Sequence, residues 1–299
     1  MSSSAVAFGA ASDTADLERR FGGLRRLYGD VGYTRLRQAR VAVVGLGGVG
    51  SWTVEALARS GVALLVLIDL DQVAESNINR QVQALGSTLG QAKTAALRQR
   101  IHDIHPGCAV HEVEDFVQPD NWPAILPCPV DVLIDACDQV RAKAALASWA
   151  VEHGVPIVCV GAAGGKIHAE RVDVADLAEV THDPLLASLR QRLRQGVRHG
   201  LHQGLHKTAQ PQPAVLAAPA RAARPAVRLG VRCVFSRENV SGAVSGDVSG
   251  GGAGAPLACH GYGSSVAVTA TFGMVAAGEA IALLLSATGS ARKPAAIDL

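Results

Sequence analysis

The stretch "VAVVGLGGVGS", residues 41–51, is an apolar run that breaks into closely spaced glycines. Gly45, Gly47 and Gly50 match the pattern G-x-G-x-x-G, in which glycines permit a tight turn, close approach of the backbone to phosphate, and close packing of the following helix. The stretch therefore predicts a strand, a nucleotide-binding turn and a helix, in that order. It does not by itself decide which nucleotide binds.

Outward from this turn, Val/Ile/Leu-rich runs alternate with helical stretches from residue 40 onward. The runs predict strands at 41–46, 64–68, 109–113, 130–136 and 156–160, and the stretches between them predict helices that begin at 49, 91 and 140. Continuous apolar strands bounded by helices are typical of a parallel sheet that is covered on both faces. We therefore expect a Rossmann-like α/β fold, a doubly wound and mostly parallel sheet with helices on both faces.

The remaining segments complete a single domain over residues 16–287, with its nucleotide-binding core at about 40–165. Residues 16–28 have helical spacing, and after Gly161 an alternating stretch precedes an amphipathic helical one. Segments rich in small residues predict a disordered N-terminus at 1–15, flexible insertions at about 197–230 and 241–256, and a tail at 288–299. The apolar stretch 264–287 contains Glu279, which favours a buried helix over a membrane span.

Composition sets broad limits on the function. The formal net charge of +2 in 299 residues does not by itself indicate a polyanionic partner. The six cysteines form no C-x-x-C pair, and the N-terminal residues lack a basic start followed by a long apolar core. These features predict a cytoplasmic protein with reduced thiols, no secretion signal and no cysteine-rich zinc site.

A polar loop follows the second predicted strand and changes the interpretation of the turn. Asp69 lies where a dinucleotide-binding enzyme places its ribose-binding carboxylate, so an NAD enzyme is the first expectation. The loop continues with Asp71, Asn77 and Arg80, and Lys93 begins the next helix. A triphosphate carries more charge than a dinucleotide and calls for Arg and Lys side chains and Mg²⁺, so Arg80 and Lys93 favour a nucleoside triphosphate.

Asp138, just beyond a later strand, is the candidate Mg²⁺ ligand. Each of these residues also has a purely structural interpretation. Asp138 could cap the helix that follows it, Arg80 could form a surface ion pair, and Lys93 could be a solvated helix residue. Their shared location at the carboxyl ends of strands favours the functional interpretation.

Four segments together resemble the adenylation domain of the ThiF/MoeB/HesA superfamily, relatives of the ubiquitin-activating enzymes: "GLGGVGS", "LIDLDQVAESNINRQ", "GQAK" and "DACDQV". Further segments resemble the branch that dehydrates threonylcarbamoyladenosine in tRNA: "RFGGLRRLYG", "EDFVQPDNW", "VGAAGGKI", "DPLLASLRQRL", "VRCVFSRE" and "TATFGMVA". This second resemblance covers most of the chain apart from the loops near 197–230 and 241–256.

The resemblance implies an ATP- and Mg²⁺-dependent cyclisation of threonylcarbamoyladenosine at position 37 of tRNA, through adenylylation of the threonyl carboxylate. It also implies roles for individual residues. The glycine turn would wrap the nucleotide with Gly45, Gly47, Gly48 and Gly50. Asp69 would bind the ribose, with Asp71 beside it, and Asp138 would hold Mg²⁺. The phosphates would be held by Asn77, Arg80 and Lys93. In superfamily members that form homodimers, an arginine of one subunit reaches into the active site of the other, and Arg20 and Arg26 are the candidates for this arginine here. The resemblance thus implies four catalytic residues: Arg26, Arg80, Lys93 and Asp138.

Two other classes of function remain open. The first is an adenylyltransferase that activates the C-terminus of a ubiquitin-like or sulfur-carrier protein, although the paired C-x-x-C motifs of the ThiF and MoeB subgroups are absent. The second is an NAD-binding oxidoreductase. Cys233 or Cys259 could serve as a catalytic thiol, but ring closure within the substrate needs no enzyme thioester, so small buried side chains are the favoured interpretation.

The stretch 190–237 contains ten Arg and Lys residues and no acidic residue, which suits either a phosphate-binding patch for tRNA or a solvated insertion. His199, His202 and His206 lie within it without a further metal ligand nearby in sequence. The sequence leaves open a docking sulfur-relay protein, a bound alkali cation and contact of the last apolar helix with a membrane.

Overall fold

The computed structural model describes residues 15–198, 228–239 and 262–286. The strands are β1 (Arg40–Val44), β2 (Leu64–Ile68), β3 (Ala109–Val113), β4 (Val132–Asp135), β5 (Ile157–Val160), β6 (Val172–Asp176) and β7 (Arg232–Ser236). The helices are α1 (Leu17–Leu36), α2 (Gly50–Arg59), α3 (Lys93–Ile104), α4 (Val140–His153), α5 (Pro184–Arg198) and α6 (Val266–Ser286).

The strands form one sheet in the order β3-β2-β1-β4-β5-β7-β6, and every neighbouring pair is parallel except β6 with β7. Alternate side chains of β1 enter two separate cores. Val41 and Val43 pack with α2, α3 and α6, whereas Ala42 and Val44 pack on the face covered by α4 and α5. The predicted doubly wound sheet, mostly parallel and covered on both faces, is confirmed.

Some elements differ from the sequence-based expectation. The predicted bounds of β2 and β3 match the structure, while α2 begins at Gly50 and α3 at Lys93. The N-terminal helical segment extends to Leu36, and Gly29, with φ of +71° and ψ of 173°, interrupts it with a kink that glycine adopts readily. β7 was not predicted, and it lies between β5 and the antiparallel edge strand β6. The predicted insertions, N-terminus and tail fall largely or wholly outside the described residues.

The apolar segment near residue 270 forms helix α6, which packs against α2. Gly273 allows this close approach, since a β-carbon there would lie 2.6 Å from the Val49 carbonyl oxygen. Thr53 Oγ1 also donates a hydrogen bond to the Gly273 carbonyl at 3.2 Å. By length and composition α6 could cross a membrane, yet half of its most apolar window is buried in the protein. Glu279 is paired with Arg232 at 2.7 Å, so its charge does not face the core unpaired.

Two substitutions on α6 test whether its buried face holds the domain together. Phe272 is fully buried, whereas Met274 is 44% exposed on the same helix. We expect Phe272→Ala to lower the free energy of unfolding by about 3–5 kcal/mol, because it leaves a cavity in the core. Met274→Ala should change it by less than about 0.5 kcal/mol. Equilibrium urea denaturation of both variants measures the difference, and equal losses would contradict this packing.

Candidate active site

The glycine turn, residues 45–49, joins β1 to α2. Gly45 has φ of +84°, and a β-carbon there would lie 2.9 Å from the backbone of Ala136, at the end of β4. A β-carbon at Gly50 would overlap the carbonyl oxygen of Gly45. Gly47, by contrast, faces open space, so its backbone is accessible from the cleft above the sheet. The turn thus has the tight geometry that the pattern predicted, and its centre is free to meet a ligand.

The cleft has a volume of about 460 Å³ and lies at the carboxyl ends of the parallel strands, where open α/β sheets bind ligands. Its lining includes nearly all of the residues that the sequence indicated: Gly45, Gly47, Gly48, Asp69, Asp71, Asn77, Arg80, Lys93 and Asp138. The structure therefore brings these side chains together. Gly50 lies just below, at the start of α2.

Asp69 ties the end of β2 to the glycine turn. Its Oδ2 accepts a hydrogen bond from Leu46 N at 2.6 Å, and its Oδ1 accepts one from Asp71 N at 2.8 Å. Burial raises the pKa of Asp69, and the Lys93 ammonium opposes that rise only in part. Each carboxylate oxygen has a second lone pair, so Asp69 can still accept hydrogen bonds from a ligand while holding the turn.

Lys93 is buried at the start of α3, with only 5% of the residue exposed. Its ammonium lies 2.7 Å from Asp71 Oδ2 and 4.0 Å from Asp69 Oδ1. The interpretation of Lys93 as a solvated helix residue is therefore wrong. The Lys93 side chain lines the cleft beside two carboxylates, so it can face an incoming anion.

Arg80 is held by neutral oxygen atoms and not by an acid. Its Nη1 donates to the Ser76 carbonyl at 2.6 Å and to Asn79 Oδ1 at 2.9 Å. Within the described residues its guanidinium has no carboxylate partner, so the surface ion pair is not found. Nearby, Asn77 is buried, and its Oδ1 accepts a hydrogen bond from Ala74 N at 3.0 Å, which fixes the loop that carries Arg80.

Asp138 is exposed between the end of β4 and the start of α4. The N-cap position of α4 is Gln139, which makes no side-chain cap hydrogen bond, and the described structure records no capping bond from Asp138 either. The carboxylate thus faces the cleft. Among the described residues no three His, Cys, Asp or Glu side chains form a metal-binding group. A lone carboxylate suits Mg²⁺, which proteins bind through one or two carboxylates together with substrate phosphates.

Sequence reasoning missed a buried ion pair directly below Asp138. Lys143 Nζ lies 3.1 Å from Asp135 Oδ2, both side chains are fully buried, and Nζ also donates to the Val160 carbonyl at 2.7 Å. Burial lowers the pKa of Lys143, but the opposing effects, with the Asp135 charge first among them, together raise the pKa above its usual value, so the ammonium remains charged. The signals were an acid ending the apolar run "VLID" and a lysine within the alanine-rich "RAKAALA".

The other candidates are placed outside the cleft. Arg20 donates to the carbonyls of Asp103 and Ile104 at the end of α3, whereas Arg26 is exposed on α1. Neither lines the cleft of its own chain. Cys233 lies fully buried in β7, and burial raises the pKa of its thiol, which disfavours a nucleophilic role. Cys259 and the three histidines of the basic stretch lie outside the described residues.

In the described part of the basic stretch 190–237, only some of the arginines are exposed without an acidic partner. Arg232 pairs with Glu279, and Arg237 pairs with Asp173, so acidic residues from other segments neutralise them. Arg190 donates to two backbone carbonyls. The remaining described arginines are exposed: Arg192, Arg194 and Arg228.

Comparisons with known proteins agree with this geometry. The model of the ThiF family matches residues 20–298. The chain belongs to the ThiF family. The tRNA threonylcarbamoyladenosine dehydratase of Escherichia coli K12 is 38% identical over 274 residues, which cover 90% of this chain and 94% of that protein.

A solved structure of that E. coli dehydratase in complex with ATP superposes with a TM-score of 0.73 and 37% identity, and the match covers 91% of this chain and 96% of that one. A more distant relative is the molybdopterin-synthase adenylyltransferase of E. coli. It is 34% identical over 127 residues, which are 42% of this chain and 51% of that protein.

The buried ion pair below the site makes a stability prediction. Lys143→Met leaves the Asp135 carboxylate buried without its counter-charge, so we expect the free energy of unfolding to fall by about 3–5 kcal/mol. Arg141→Met, which changes an exposed cation one helical half-turn earlier, should have an effect below about 0.5 kcal/mol. Urea titrations at neutral pH measure both. An unchanged midpoint for Lys143→Met would contradict the assigned role.

Proposed function

We propose that this chain is an ATP-dependent tRNA threonylcarbamoyladenosine dehydratase. The observation that carries the proposal is the match to the E. coli dehydratase along nearly the whole of both chains, together with a cleft that gathers the expected nucleotide-binding residues. The cleft supplies both signs of charge that a nucleoside triphosphate with Mg²⁺ requires. A triphosphate carries more negative charge than the pyrophosphate of a dinucleotide, which suits a cleft lined by both Arg80 and Lys93.

In this proposal different elements of the cleft bind different parts of the nucleotide. Backbone N–H groups of the glycine turn and the first turn of α2 face the phosphates, because that end of a helix carries partial positive charge. Asp69, with Asp71 beside it, binds the ribose hydroxyls. Asn77, Arg80 and Lys93 hold the phosphates, and Arg80 and Lys93 stabilise the charge that develops on them during transfer.

Asp138, which lines the cleft, would hold Mg²⁺. Bound there, the ion would neutralise charge on the phosphate oxygens while the α-phosphate is attacked. The Asp135–Lys143 pair beneath fixes the end of β4 and the start of α4, so it sets the position from which Asp138 reaches the cleft.

The chemistry proceeds in two steps. An oxygen of the threonyl carboxylate attacks the α-phosphate of ATP, forming an acyl-adenylate and releasing pyrophosphate. A carbamoyl nitrogen then attacks the activated carbonyl carbon, the bond to AMP breaks, and the nitrogen's proton passes to solvent. The carboxylate oxygen leaves on AMP, so the nucleoside loses one water overall. Because nucleophile and electrophile belong to one molecule, ring closure has a high effective molarity.

The active unit in this proposal is a homodimer in which Arg26 completes the partner's site. Arg20 is less suited, since it already holds the end of α3. Leu27 and Val31, beside Arg26 on α1, are 68% and 69% exposed, and such an apolar pair suits a contact with a second copy. A tRNA substrate also agrees with a cytoplasmic location.

The second candidate is an adenylyltransferase for the C-terminus of a ubiquitin-like or sulfur-carrier protein. It is favoured by the similarity to the molybdopterin-synthase adenylyltransferase, which is confined to about half of that protein. The two candidates differ in what stimulates exchange of pyrophosphate into ATP. The dehydratase requires tRNA that bears threonylcarbamoyladenosine, whereas the adenylyltransferase requires a small protein that ends in Gly-Gly.

The direct test incubates the purified chain with ATP, Mg²⁺ and tRNA bearing threonylcarbamoyladenosine, and follows the nucleoside by mass spectrometry. We expect the loss of one water. Arg80→Ala and Asp138→Ala should each lower the rate by about 100-fold or more, the effect of removing one charge-stabilising group in an active site.

Two exposed residues outside the cleft serve as matched controls, Arg98→Ala and Asp103→Ala, and both should retain the wild-type rate. Full activity of both Arg80→Ala and Asp138→Ala would overturn the site assignment. Absence of product, with tight binding of a nicotinamide cofactor instead of ATP, would overturn the proposed function.

A further inference from the structure

Arg80 lies in the loop between β2 and α3, and side chains outside the cleft hold its backbone. The Arg80 carbonyl accepts a hydrogen bond from Trp52 Nε1 of α2 at 3.0 Å. An indole has one N–H donor and no acceptor, so this donor is committed to the loop. The Arg80 amide N donates to the Asn77 carbonyl, also at 3.0 Å. Both polar groups of the Arg80 backbone are therefore hydrogen-bonded within the protein.

The side chain of Arg80 is connected to the start of α6 through Asn79. Asn79 Oδ1 accepts from Arg80 Nη1 at 2.9 Å, and Asn79 Nδ2 donates to the Ser264 carbonyl at 2.9 Å. Because a guanidinium can only donate, the amide oxygen must face Arg80, which directs the amide nitrogen towards Ser264. Ser264 is 185 residues further along the chain and just precedes α6. One amide thus bridges the guanidinium and the start of a distant helix.

The base of the Arg80 side chain is confined by the glycine turn and α6. A β-carbon at Gly48 would lie 3.3 Å from Arg80 Cγ and 3.1 Å from Thr269 Cγ2. Thr269 is 3% exposed, and its Oγ1 lies 3.4 Å from the Arg80 carbonyl. The packing at the turn therefore restricts the directions in which the Arg80 side chain can leave the backbone.

These contacts hold the guanidinium in place before any ligand binds. A long arginine side chain on a loop samples many rotamers, whereas stabilisation of a transition state requires its guanidinium in one position. Prior restriction of the side chain lowers the entropy that is lost when an anion binds. Trp52 and Asn79 do not line the cleft, whereas Arg80 does. Any influence of these two residues on the reaction therefore passes through Arg80.

We propose that Trp52 and Asn79 are positioning residues for the adenylylation step. Trp52 fixes the backbone of Arg80, and Asn79 fixes its guanidinium relative to the start of α6. This inference rests on the proposed function, in which Arg80 stabilises charge on the phosphates. It gives α6 a part in the reaction in addition to its packing against the sheet, because the residue before the helix anchors the Asn79 amide.

The test uses Trp52→Phe and Asn79→Leu, which remove the hydrogen bonds and retain side chains of similar shape. We expect each to lower kcat for dehydration of the modified tRNA about tenfold, since a displacement of about 1 Å in a catalytic group costs up to about 100-fold. The KM for tRNA should stay within about twofold of the wild-type value, because neither side chain contacts the substrate.

The matched controls are Trp122→Phe and Asn239→Leu, and both should retain the wild-type kcat. Trp122 is a buried tryptophan outside the cleft whose Nε1 has no hydrogen-bond partner among the described residues. Asn239 is an exposed asparagine that also lies outside the cleft.

The same two substitutions in an Arg80→Ala background distinguish positioning from a general structural role. If Trp52 and Asn79 act through the guanidinium, neither substitution should lower the residual rate further. Single turnovers with the enzyme in excess over tRNA measure this slow rate, because product then accumulates over long incubation.

Three results would overturn the inference. An unchanged kcat in both Trp52→Phe and Asn79→Leu would show that Arg80 needs no support from them. A rise in the KM for tRNA at constant kcat would show that they contact the substrate. An equal loss in the wild-type and Arg80→Ala backgrounds would show that they act on the fold. In all three cases the wild-type chain still dehydrates the tRNA, whereas a wild-type chain that forms no product would refute the proposed function and the inference with it.

Discussion

The contact between Gly50 and the carbonyl oxygen of Gly45 is the constraint on which the cleft depends. Because Gly50 has no β-carbon to overlap that oxygen, β1 passes into α2 through a turn tight enough to bring Leu46 N within 2.6 Å of the Asp69 carboxylate. That hydrogen bond joins the ends of β1 and β2. The loop that carries Arg80 and the start of α3 both follow Asp69 in the chain. The steric requirement for glycine at position 50 therefore influences where the charged groups of the cleft lie.

Lysine and arginine occupy different positions in the structure, lysine at buried sites and arginine at exposed ones. The sequence contains five lysines, and the three within the described residues are all buried near the ends of the strands: Lys93, Lys143 and Lys166. An ammonium on a slender stem fits a narrow space between strands, whereas the broad guanidinium needs room for its five donors. Exposed cations are accordingly arginines throughout the described surface.

Sequence patterns predicted those parts of the structure that depend on local chemistry. Apolar runs located β2 and β3, the glycines located the turn, and polar residues at strand ends located most of the cleft lining. They did not predict β7. This strand lies between β5 and β6, which precede it in the sequence, and such an order is determined by pairing between distant segments. The ion pairs of Arg232 and Arg237 were missed for the same reason, since their partners come from distant segments. The Asp135–Lys143 pair is local, but the sequence does not show that both side chains are fully buried.

Helix α6 has a consequence for how the protein forms during synthesis. It follows every strand of the sheet in sequence, yet together with α2 and α3 it covers one face of that sheet, and it contacts α2, which is made early. Until α6 has been synthesised, the apolar side chains that it contacts on β4 and β5 lack its cover, and exposed apolar surface promotes aggregation of nascent chains. The core on that face of the sheet is therefore complete only after the last described helix has been synthesised.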